Sequence, residues 1–132
     1  MKLQPLSPAE LLAIADSLAL ETGAWDKATH QPKNNEALNR ALLPSKLAGN
    51  LARRSAGVFC AILKNKPFPK QNRRLAVAAI FALAAKNNIW LRLTPAELLW
   101  LIKLPEGKPA QWEAAQAAIE GLLASRLSPL RR

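Results

Sequence analysis

The stretch Asn65-Lys66-Pro67-Phe68-Pro69-Lys70-Gln71-Asn72-Arg73-Arg74 gathers most of the chemistry that this chain's residue types can offer. It is polar, proline-punctuated and strongly basic, and long apolar helical patterns flank it on both sides. The chemistry it suits is anion binding. Asn72, Arg73 and Arg74 fall in the first turn of the following helix, where unpaired backbone N–H groups and the positive dipole end already favour negative charge. Two arginines there add to that field and cost helix stability, and Lys64 stands beside the loop. Elsewhere the inventory is thin. The single histidine, His30, the single cysteine, Cys60, and scattered carboxylates form no triad, metal cluster or paired acids, so no metal site is expected. Trp25 reads as a lid over core surface, His30 as a solvated side chain, and Cys60, on an apolar helix face, as core.

Charge supports an anionic partner. The formal charge is +10, and between Ala37 and Ala96 there is no Asp or Glu, while eleven Lys and Arg residues fall in that span. Nucleic acid, nucleotide, an acidic protein or an anionic membrane surface would each suit it. Arg53 and Arg54 read as a solvated charge stripe or as an electrostatic approach to the loop. One cysteine forms no internal disulfide, and no window approaches the length of a membrane span or a signal peptide, so a soluble, cytoplasmic protein is expected.

The elements that must position the loop are helical. At 132 residues, half of them apolar and rich in Ala and Leu, the chain fits one all-α domain over residues 1–127, with 128–132 as a loose basic tail. Ser7-Pro8-Ala9-Glu10 reads as a capping box opening a first helix, and Thr94-Pro95-Ala96-Glu97 repeats it. Residues 24–35 read as a long loop. Asn35–Leu43 reads as a short helix, with Ser45 capping a long one from Lys46 through Leu47, Leu51, Ser55, Val58, Phe59 and Ile62. After the loop, Leu75–Ala85 is apolar on every side and is expected to be the central helix, buried all round. Ile89–Leu93 is a connector with a short extended piece, and Gln111–Leu127 a last amphipathic helix.

Phe68, Asn72 and Arg74, at these intervals between two central helices, resemble the Fic/Doc (Fido) family, whose signature runs H-x-F-x-[D/E]-[G/A]-N-[G/K]-R. Size, the Ser-Pro-Ala-Glu opening and the motif's position make the chain most similar to its death-on-curing toxin branch. The resemblance implies a compact bundle of about six helices with the motif loop between two central ones. It also implies transfer of a nucleotidyl or phosphoryl group from ATP or another nucleoside triphosphate to a protein hydroxyl. The implied partners are a small antitoxin and a translation factor such as elongation factor Tu. Carried over by position, Phe68 anchors the loop in the core, Asn72 contacts phosphate, Arg74 grips the phosphate chain, and Arg73 replaces the lysine or glycine before it.

The departures fall on the reacting groups. Lys66 stands at the catalytic histidine position and Lys70 at that of the magnesium-holding acid, while Gln71 replaces a small residue. A free lysine titrates at about 10.4, too high for an efficient general base, though neighbouring cations would lower it. Lys70 cannot ligate a cation, so Mg2+ is not expected there, and the loop reads as a metal-independent anion site made of Lys64, Lys70, Asn72, Arg73 and Arg74. Three functions fit: a transferase lacking the usual histidine, with Lys66 as its catalytic group; an inactive relative that binds nucleotide or protein; and a basic helical nucleic-acid binder.

Overall fold

The computed structural model describes residues 3–22, 35–47, 49–68, 72–103 and 109–129. Among them are six α-helices, α1 (Pro8–Thr22), α2 (Asn35–Leu42), α3 (Leu51–Asn65), α4 (Asn72–Lys86), α5 (Pro95–Ile102) and α6 (Pro109–Arg126), and two short strands, β1 (Ile89–Leu91) and β2 (Leu127–Pro129). The all-α expectation holds. Trp25, His30, the loop 24–34 and the tail 130–132 lie outside the described residues.

Both capping boxes form as their spacing requires. The Ser7 hydroxyl accepts from the Glu10 N–H at 3.2 Å, and the Glu10 carboxylate accepts from the Ser7 N–H at 2.9 Å. At α5 the Thr94 hydroxyl accepts from the Glu97 N–H and Glu97 answers at the Thr94 N–H. Leu6 and Leu11, flanking the first box at the spacing of a hydrophobic staple, are both buried.

The central helix is α3, not α4 as the sequence suggests. Ten of its fifteen residues are buried, and it packs against α2, α4, α6 and a 3-10 turn at Leu43–Lys46. In α4 only Leu75, Ala76, Ala79, Ile80, Leu83 and Ala84 are buried, while Val77, Ala78, Phe81 and Ala82 are partly covered. Its alanines hide which side faces inward, because a methyl group suits either environment.

The start of α3 also differs from expectation. Ser45 is not its cap: this residue lies in the 3-10 turn and its hydroxyl donates to the Leu42 carbonyl at 2.7 Å. Leu47, expected on the apolar face, is 52% exposed. The break is made by Gly49, at φ +135°, and the cap by Asn50, whose side-chain oxygen accepts from the Arg53 N–H at 2.9 Å. Arg54 ties the turn down by donating to the Gly49 and Ser45 carbonyls. Only a glycine lets the turn sit this close to α3: a Cβ on Gly57 would stand 2.6 Å from the Pro44 Cβ. In an open helix Gly→Ala gains about 1 kcal/mol. Here Gly57→Ala is expected to destabilise by about 1–3 kcal/mol through overpacking against a rigid ring. Thermal melts check this, and an alanine variant that melts higher than wild type would show that the turn yields freely.

A polar knot holds the far end of α4 to the N-terminal arm. Asn87, 6% exposed, accepts from the Gln4 N–H at 2.6 Å and donates to the Gln4 and Leu83 carbonyls, and Lys86 donates to the Pro5 carbonyl and pairs with Glu10 at 2.5 Å. Lys86 and the Ser7 N–H together hold the Glu10 carboxyl below its ordinary pKa. Asn88 then turns the chain at φ +58° into β1.

Strand β1 pairs antiparallel with β2, Ile89 opposite Pro129 and Leu91 opposite Leu127. Residues 128 and 129 are therefore strand and not loose tail; the ladder supplies backbone partners that no local sequence pattern announces. Arg126 extends this closure. It grips Glu97 with Nε at 2.8 Å and Nη2 at 2.8 Å from Oε2, joining the end of α6 to the start of α5. Arg126 and the Thr94 N–H lower the Glu97 carboxyl from 4.5 to about 2. A carboxyl depressed on folding adds stability above its unfolded pKa, and that stability is lost as pH falls through the folded value. Wild type should therefore melt higher than Glu97→Gln at neutral pH, the gap closing between pH 4.5 and about 2. A gap unchanged at the acid end would show that the carboxylate's charge is not what matters.

Candidate anion site

The loop is built from the C-terminal end of α3 upward. Asn65 turns its amide back to the Ala61 carbonyl at 2.8 Å, and Lys66 ends the helix in the left-handed region at φ +44°, its N–H bonded to the Ile62 carbonyl at 2.9 Å. A lysine in that conformation costs roughly 1 kcal/mol, so packing beyond it must hold it there. Pro67 and Phe68 do so: both are buried, Phe68 to 2% exposure. Phe68 packs into the main core.

Asn72 closes the loop onto Phe68 from the other side. Its side-chain oxygen accepts from the Phe68 N–H at 3.1 Å, and its side-chain nitrogen donates to the Phe68 carbonyl at 2.7 Å. One amide hydrogen remains for an anion, but the residue's first task is to brace the loop. Arg73 is also engaged, donating Nη1 to the Ile102 carbonyl at 2.8 Å, which ties the start of α4 to the last turn of α5. A separation of 29 residues made that link invisible in the sequence. Arg74 is exposed, and its side chain makes no hydrogen bond or ion pair with a described residue. Lys64, on the last turn of α3, and Lys66 are exposed as well.

The structure therefore brings Lys64, Lys66, Phe68, Asn72, Arg73 and Arg74 to one end of the α3–α4 hairpin. Lys70 and Gln71 lie outside the described residues. The donor set does not fit a divalent cation: from Lys66 to Arg74 the polar side chains of the described residues are ammonium and guanidinium groups and one amide, on Asn72, whose oxygen is taken by the Phe68 N–H. What the end can do is receive negative charge.

Other chemistry lies away from it. Burial pushes the Cys60 thiol up to about 11, which makes it an inert core group. A largely apolar cavity of about 280 Å³, lined by Leu3, Asn50, Leu51, Asn87, Ile89 and Leu127, sits at the opposite end of α3, roughly 20 Å along its axis from the loop. Among the described residues no helix is long and apolar enough to cross a membrane. Comparison with known proteins gives no match: no protein-family model, no curated protein and no solved structure matches the chain.

Proposed function

We propose that the chain is a cytoplasmic Fic/Doc-like protein that receives the phosphates of a nucleoside triphosphate at the Lys66–Arg74 end. Its role would be that of a toxin held by a small antitoxin. The observation that carries the reading is the braced loop. Phe68 and Asn72 fix the chain at the start of α4 so that Arg74 stands exposed where the helix already favours an anion. Preorganised charge of this kind is most of what phosphoryl or nucleotidyl transfer needs. In a transfer, the hydroxyl oxygen of a target such as a translation factor would attack phosphorus. The nucleoside diphosphate or pyrophosphate would leave, and the hydroxyl proton would pass to water beside Lys66, which stands at the position of the signature's histidine.

A non-catalytic reading has its own support: lysine replaces both the histidine and the acid of the Fic/Doc signature, and Asn72 spends its oxygen on the loop. One experiment separates the two readings. ATP and inorganic phosphate should each raise the melting temperature with or without a chelator, and labelled ATP in a lysate should then either mark a protein, favouring transfer, or mark none, favouring binding alone. Absence of any thermal shift, with tight binding to RNA instead, would move the assignment to a nucleic-acid binder.

A further inference from the structure

We propose that the outward face of α5 docks an acidic amphipathic helix of a partner protein. Leu101 is the one buried residue of this helix, with Glu97 and Leu98 partly covered. On the outer side Leu99 is 50% exposed, Trp100 41% and Ile102 37%. An eight-residue helix that is apolar on its wet side as well as its dry side does not pay for itself in water and marks a contact surface. The strip continues into a shallow groove between α5 and α6, lined by Ala96, Glu97, Trp100 and Leu122. Leu99 and Ile102 lie one turn apart, as do Ala96 and Trp100, which is the spacing that interlocks with the i, i+3 and i+4 side chains of a partner helix.

Charge selects the partner's sign. Glu97, the acid at the groove, is already neutralised by Arg126. At one end of the strip stands exposed Lys103; before the Thr94 cap at the other end comes exposed Arg92. Of the two acids on α6, Glu113 is exposed and nine residues before Leu122, about 13 Å along the helix axis, and Glu120 is partly covered and two residues before it, about 160° around the helix. A second copy of this chain would bring the same cations and the same formal +10 charge to the contact, and like charges there oppose association. A helix with leucines on one face and carboxylates on its flanks meets both the apolar strip and its cationic ends. This docking does not depend on nucleotide binding at the loop.

Two fluorescein-labelled synthetic helices with identical leucine faces, one flanked by Glu and one by Lys, test it by anisotropy against the full chain. The Glu helix should bind and the Lys helix should not. Leu99→Asp and Trp100→Ala, both at exposed positions, should weaken binding by about tenfold or more, and Lys103→Glu by about threefold to tenfold, each with an unchanged melting temperature. Arg74→Ala should leave the affinity as it was. Equal binding of the Lys helix, or full binding by Leu99→Asp, would overturn the proposal, as would a dimer in sedimentation that Leu99→Asp dissolves.

Discussion

Phe68→Ala is expected to destabilise the protein by about 3–5 kcal/mol and to lower its melting temperature by roughly 10–20 °C. The ring is 2% exposed and belongs to the main core with Phe59, Leu63 and Leu75, so its removal costs the transfer of a large side chain and leaves a cavity. A second cost is local. The Phe68 peptide is held from both sides by Asn72, and a loop without its anchor would lose the register in which those two bonds form. Against a total stability of about 5–15 kcal/mol, that loss is a large share of the whole. Phe68→Leu keeps most of the volume and should cost under about 1.5 kcal/mol. Melts of the two variants check this, and an alanine variant within about 2 °C of wild type would show that the loop hangs outside the core.

Phe68 also shows what kind of information the sequence carries. Its burial is expected through the resemblance to the Fic/Doc signature, which implies a core-anchoring phenylalanine at this position. The caps at Ser7 and Thr94 were legible because donor and acceptor lie three residues apart. Asn50 escapes a sequence reading although its signal, a Gly-Asn pair just before the apolar face, is equally local, because Ser45 offers a competing hydroxyl and the apolar Leu47 continues the helical spacing. What sequence could not carry was long range. The pairing of Leu91 with Leu127, the Asn87 bonds to Gln4 and the Arg73 bond to Ile102 each join residues at least 29 positions apart. Those contacts decide that residues 128 and 129 are strand and that Arg73 braces α5 while its neighbour faces solvent, and it is likewise packing between elements, α3 on α2, α4 and α6, that puts α3 at the centre. The site was therefore readable as a set of residue types, but its division of labour was not.

That division makes Arg74 the residue on which anion binding should turn. Arg74→Ala is expected to abolish the thermal shift that the proposed binding of millimolar ATP or phosphate should give wild type, and to leave the melting temperature without ligand nearly unchanged, since the side chain is exposed and makes no bond to a described residue. Ligand present at 100 times its Kd stabilises by about 2.7 kcal/mol, so the wild-type shift is large enough to see vanish. Any change in the unliganded alanine variant should be a slightly higher melting temperature, because a cation in the first turn opposes the helix dipole by about 0.3–1 kcal/mol. Arg74→Lys keeps the charge but not the planar fork, and should retain a reduced shift. Arg73→Ala should behave in the opposite way: it removes the tie to Ile102 and lowers stability by about 1 kcal/mol, while the anion shift persists in part. Chelation of divalent cations should change none of these results, because the described motif residues present no ligand set for one. If Arg74→Ala keeps the full shift, the anion is held elsewhere on the cationic surface, and the braced start of α4 is a structural joint rather than a binding site.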